Sequence, residues 1–167
     1  GEIVTIRDVI AEVGSDATRF FFLSPSSNQT MDFDLDLAQK QSDENPVYYV
    51  QYAHARIAGI IDKAKEAGLS SEGADPALLV HEAEQTLIRK LLLLPEVLEL
   101  VVDDMAPHHL PHYAMELGTA FHAFYTQCRV IGEDEALSRA RILLLEAARV
   151  TLARTLSLMG ISAPDQM

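Results

Sequence analysis

Between Asn45-Pro46 and Gly68 nothing in the chain stops a helix, and that stretch restricts the possible folds more than any other. Asn45 is a strong N-cap, because its side-chain oxygen can accept from a backbone N–H of the first turn. Pro46 suits the first helical position, where its missing N–H costs nothing. Gly68 can take the left-handed conformation that closes a helix after Ala67. At about 100° per residue, Val47, Val50, Ala53, His54, Ile57, Ile61 and Ala64 fall on one side, which predicts a core face. Asn45, Tyr49, Tyr52, Arg56 and Lys63 share a different sector.

An amphipathic helix ordinarily carries Glu and Lys away from its core face. Two tyrosines, an amide and an arginine in line have other chemistry. Tyrosine rings can stack on unpaired bases, and an arginine can pair with phosphate or stack as a plane. The alternative is that both tyrosines pack beneath a neighbouring element while Arg56 answers a carboxylate. Spacing alone leaves both open.

At 167 residues, 49% of them hydrophobic, the chain can bury a real core in one globular unit or in one domain with an appendage. Cys128 is the single cysteine, so no internal disulfide can form, and a reducing, cytoplasmic setting is expected. There is no secretory segment and no apolar run of membrane-spanning length. Leu91 to Leu94 reads as buried helix. The net charge of −12 argues against a generic nucleic-acid binder, which would usually show a basic face. However, residues 45–92 and 129–167 are nearly neutral and hold ten of the thirteen basic residues. An anion-binding surface would have to come from those two segments.

Gly1-Glu2-Ile3-Val4 opens abruptly, as if cut from something longer. Thr5 can cap a helix from Ile6 to Val13 that closes at Gly14. Ser15 or Asp16 can cap the next, through Phe20-Phe21-Phe22-Leu23. Three successive phenylalanines cannot share one face, so this helix is expected to be covered on several sides. Ser24 to Thr30 is a loop by composition. Met31 to Leu37 alternates apolar and acidic residues in a strand-like way, although Asp34 or Asp36 could instead cap a helix reaching Gln41. After the helix from Asn45 and a linker at 69–76, helices are expected at about Ala77–Leu94, Glu96–Met105, Pro111–Cys128 and Glu133–Met159. Leu137, Ala140, Leu144, Ala147, Ala148, Leu152 and Leu156 give the last of these a core stripe. The fold class is all-α: a helical bundle from 45 to 167, preceded by a short, mostly helical lead-in from 1 to 44.

Catalytic signals are absent. No phosphate-cradling glycine loop, Gly-x-Ser-x-Gly elbow or usefully spaced Cys/His pair occurs. Asp32, Asp34 and Asp36 lack the glycine and terminal glutamate of an EF-hand. His112 and Glu116 meet metal-ligand spacing alone, with no second pair, so no metal site is expected. His54, His81 and His122 read as satisfied, partly buried histidines, and Cys128 as a small buried residue.

Asn45-Pro46-Val47-Tyr48-Tyr49-Val50-Gln51-Tyr52-Ala53-His54-Ala55-Arg56 resembles the helix that opens the anticodon-binding domain of arginyl-tRNA synthetases. Asp16-Ala17-Thr18-Arg19 is similar to the Asp-Ala-Leu-Arg motif of this domain family, with Thr18 in place of the leucine. Met31 to Ala38 with Gln41 to Pro46, Leu87 to Leu91, Ala120-Phe121-His122, Phe124-Tyr125 and Gly160 to Met167 extend the likeness over essentially the whole chain. The resemblance implies that 1–44 is a stem-contact segment following a class I catalytic domain, whose signatures are not in these residues. The intact enzyme would activate arginine with ATP and magnesium and transfer it to arginine tRNA. This part would supply recognition, with no catalytic residue, cofactor, membrane or DNA partner of its own. The resemblance further implies that Tyr49, Tyr52, Arg56, Tyr125 and Met167 approach the anticodon loop. Asn45, Gln51, Lys63 and Arg129 rank below them, Arg129 on physical grounds alone. A protein-interaction bundle, or the corresponding domain of another class I synthetase, are the competing readings.

Overall fold

The computed structural model describes residues 4–167, and Gly1-Glu2-Ile3, read above as a cut start, lie outside the described residues. Seven α-helices follow in order: α1 (Ile6–Leu23), α2 (Leu35–Gln39), α3 (Pro46–Glu66), α4 (Glu82–Leu92), α5 (Leu94–Asp103), α6 (His109–Gln127) and α7 (Glu135–Leu158). A 3-10 turn, Pro76–Leu78, precedes α4, and the described residues include no strand.

Thr5 caps α1 in a reciprocal box with Asp8, whose carboxylate accepts from the Thr5 amide at 2.9 Å. Gly14, at φ 83° and ψ 166°, breaks α1 where a closing glycine was expected. Asp16 does not cap the second half, because its carboxylate reaches Gln51 and Ser162 instead. Of the three phenylalanines, only Phe20 is fully buried. Phe21 and Phe22 lie against Phe33 at centroid distances of 5.4 and 5.6 Å, and Phe22 is 41% exposed. The helix is therefore covered at Phe20 and Phe21, while Phe22 leaves one side partly open. The alternation from Met31 to Leu37 gives no strand either. Asp34 accepts from the Leu37 amide at 2.9 Å and starts α2, since seven alternating residues without a partner strand cannot outweigh a cap.

Helix α3 runs as its caps dictate: Asn45 at N-cap, Pro46 at its start, Ala67 as C-cap and Gly68 at φ 76°. Its predicted face is the centre of the core, with Val50, Ala53, Ile57 and Ala64 at zero exposure. It packs against α6 and α7, which also pack on each other, while α4 lies across both and α1 sits against α2 and α3. Leu87, Leu117, Phe121, Phe124, Leu145, Leu152 and Leu156 fill the space between, fully buried. Removing any one of these to Ala should cost about 2–5 kcal/mol.

Four expectations change here. The helix thought to start near Ala77 starts at Glu82. His81 caps it, its Nδ1 accepting from the Ala83 amide at 3.1 Å while Glu84 accepts from the His81 amide at 2.8 Å. His81 is exposed rather than partly buried. Leu91 to Leu94 is not a buried run, because it spans the junction of α4 and α5 and leaves Leu92 69% exposed. In α7 the expected stripe is buried at Ala140, Leu144, Ala148, Leu152 and Leu156, but Ala147 is exposed.

Candidate nucleic-acid interface

An open groove of about 870 Å³ runs between the outer side of α3, the end of α6, the 128–131 segment and the C-terminal tail. From α3 it takes Tyr52, Ala55, Arg56, Gly59 and Lys63, residues three and four apart and so on one strip of the helix. Ala55 and Gly59 leave the floor low between the long side chains. From α6 and beyond come Tyr125 and Arg129, and from the tail Asp165, Gln166 and Met167. Tyr52, Arg56, Lys63, Tyr125, Arg129 and Met167 are thus brought to one site.

Tyr52 is 39% exposed, Tyr125 37% and Met167 54%. Arg56 and Tyr125 hold one another: the guanidinium lies over the ring, 5.0 Å from its centroid, and Nη2 donates to the phenol oxygen at 3.0 Å. Arg129 donates from Nε to the Ile131 carbonyl at 2.9 Å, which shapes its loop, and the guanidinium stays exposed. Three cations, Arg56, Lys63 and Arg129, face this groove against one acidic side chain, Asp165, in a chain of net charge −12. Asp165 accepts from Arg149 at 2.7 Å, and that hydrogen bond holds its carboxyl below the usual carboxylate range.

Three expected contacts go elsewhere. Asn45 is buried, with its amide nitrogen donating to the Ala38 and Lys40 carbonyls at 3.0 and 2.8 Å, and its oxygen capping α3. It is a fastener between α2 and α3. Gln51 donates to Asp16 at 2.9 Å and to the Ser162 carbonyl at 3.0 Å, so it grips the tail. Tyr49 is half-buried between α3 and α6. Its hydroxyl is 3.3 Å from Thr119 Oγ1, and a Cβ placed on Gly118 would come within 3.1 Å of its ring. For Tyr49 the packing alternative applies.

His122 was missed. It lies under the tyrosine stripe, its ring centroid 5.0 Å from that of Tyr49 and 6.3 Å from that of Tyr52, nearly parallel to the latter. It is not satisfied, because Nε2 is buried with no hydrogen-bond partner. Burial, and then the charge of Arg56, push its pKa down, which leaves it neutral near pH 7. No sequence signal marks this, since it depends on α6 facing α3 at this register. His54 is as expected, 3% exposed with Nδ1 donating to the Pro164 carbonyl at 2.8 Å. Cys128 is buried, and burial pushes its thiol pKa up. Among the described residues no three His, Cys, Asp or Glu side chains converge as a metal would need, and no helix is long and apolar enough to cross a membrane.

Residues 50–167 match the DALR anticodon binding domain. The chain belongs to that family. Asp16-Ala17-Thr18-Arg19 lies outside the matched span. Among relatives of this DALR domain, an arginine–tRNA ligase of Dehalococcoides mccartyi is 56% identical over 167 residues, all of this chain and 30% of that protein. One of Salinibacter ruber is 50% identical over 165 residues, 98% of this chain and 29% of that protein. The solved Thermus thermophilus arginyl-tRNA synthetase superposes with a TM-score of 0.79 at 30% identity, over 93% of this chain and 27% of that one. This chain therefore spans about 30% of the length of the curated relatives it matches.

Proposed function

We propose that this chain is the RNA-recognition part of an arginine–tRNA ligase, and that its groove receives unpaired anticodon-loop bases of arginine tRNA. The observation that carries the reading is the convergence of Tyr52, Tyr125, Arg56, Lys63 and Arg129 on one open groove of a strongly acidic chain. Exposed tyrosine faces accept any base by stacking, and the cations neutralise the phosphates on either side. Elsewhere the acidic surface repels RNA, so the field itself favours one orientation of approach. In the complete ligase, a catalytic domain outside this chain would activate arginine with ATP and magnesium and charge the tRNA in the cytoplasm. This chain's own share is binding.

The test is a titration of labelled arginine tRNA, an anticodon-loop variant and an unrelated tRNA against the chain. Preference for the first supports the reading. Equal affinity for all three would refute it, as would stable capture of a protein at the groove with no RNA binding. ATP–pyrophosphate exchange by this chain alone would contradict the division of labour.

A further inference from the structure

Asp16 and Arg19 lie away from the groove and reach it only through the C-terminal tail. After Gly160 that tail has no helix or strand of its own, so its polar backbone must find partners elsewhere. Arg19 Nη1 donates to the Gly160 carbonyl at 3.0 Å. One carboxylate oxygen of Asp16 accepts from the Ser162 amide at 3.2 Å, from the Ser162 hydroxyl, and from Gln51 Nε2 at 2.9 Å. Gln51 closes the triangle on the Ser162 carbonyl at 3.0 Å. Within this grip Ile161 is buried, and beyond it His54 holds Pro164 and Arg149 holds Asp165. The next two residues, Gln166 and Met167, complete the groove wall. A side chain at Gly160 would be strained, because its φ is 68°, and its Cβ would push the Arg19 guanidinium off the Gly160 carbonyl.

We propose that Asp16 and Arg19 are positioning residues for recognition, which hold the tail so that Asp165, Gln166 and Met167 stand as a wall of the RNA groove. The lead-in helix α1 is thereby tied to the site where the bundle reads its ligand, although it contributes no residue to that site. This inference rests on the RNA-binding reading above. Asp16 is only partly buried and Arg19 and Ser162 are exposed, so these bonds contribute little to global folding, whereas a loose tail must be ordered anew at each binding event.

The experiment is a double-mutant cycle on the whole chain. Asp16→Ala and Arg19→Gln are each made with and without removal of residues 165–167, and arginine tRNA affinity, melting temperature and release of Met167 by carboxypeptidase are read. In the intact chain each substitution is expected to weaken binding about three- to tenfold and to speed release of Met167, with melting little changed. In the truncated chain the same substitutions should leave affinity unaltered, because the wall they position is gone. Arg19→Gln, at an exposed site, keeps the result readable if Asp16→Ala lowers stability. A tRNA-binding wild type whose affinity ignores both substitutions, or loses equally with and without the tail, would overturn the inference alone. A wild type that binds no tRNA would overturn the proposed function and this inference with it.

Discussion

Arg56 spans the groove mouth by lying across Tyr125, with its charge over the ring and one Nη on the phenol oxygen at 3.0 Å. The ring fixes a side chain that would otherwise sample many rotamers, so the cation is pre-placed where a phosphate or base plane would arrive. Arg56→Met is expected to weaken tRNA binding by about 1.5–3 kcal/mol through loss of a charge-assisted contact. Stability should shift by under about 1 kcal/mol, the worth of an exposed cation–π pair. Filter binding and thermal melting together check both halves.

Tyr49 and Tyr52 stand three residues apart on α3 but answer to different tests. Tyr52→Ala should reduce RNA affinity by about 1–3 kcal/mol with folding intact, because its ring is one of the exposed stacking faces. Tyr49→Ala should instead lower unfolding free energy by about 2–4 kcal/mol, since it empties the space against Gly118. Urea denaturation and tRNA titration of the two variants in parallel would expose a reversal of these roles.

Glu84 is 1% exposed and is matched by Arg141, whose Nε donates to it at 2.7 Å and whose Nη1 donates to the Arg129 carbonyl at 2.8 Å. Arg141→Ala would leave the buried Glu84 carboxylate without its charge partner, at a cost of about 3–5 kcal/mol in a denaturation midpoint series. Replacing both by apolar residues of similar volume should recover much of that loss.

The lowered pKa of His122 sets a direction for acid sensitivity. In the unfolded chain its imidazole takes a proton near the ordinary value of 6.5, which the folded chain resists until lower pH. Stability is therefore full above pH 6.5 and falls as pH drops below it. His122→Phe, which keeps an aromatic ring under Tyr52, should lose less stability than wild type between pH 7.5 and 5.5. Parallel slopes for the two proteins would dismiss His122 as the source.

Binding should also weaken with salt. If Arg56, Lys63 and Arg129 each neutralise one phosphate of a single-stranded loop, log affinity falls against log salt with a slope of roughly −2. A slope near zero would assign binding to stacking alone.

The frame was legible because its signals are local. Asn45, Pro46 and Gly68 bound α3 from their own backbone chemistry, and 3.6-residue spacing alone located its buried face. The groove was half legible: Tyr52, Arg56 and Lys63 share a strip by spacing, while Tyr125, Arg129 and Met167 join them only through the packing of α3 on α6 and the course of the tail. Asn45 and Gln51 misled because a polar side chain looks the same in sequence whether it faces solvent or feeds a distant carbonyl. His122 and Phe22 depended on which faces the neighbouring helices leave uncovered, and periodicity within one helix carries no information about that.

The pinned tail has a practical consequence. Five residues from three helices (Asp16, Arg19, Gln51, His54 and Arg149) hold the stretch 160–165, so Met167 emerges directly beside Tyr52 and Tyr125. A purification tag or reporter fused after Met167 would begin at the edge of the groove and compete with RNA for it. Any label for binding work belongs at the other end of the chain or on the exposed face of α5.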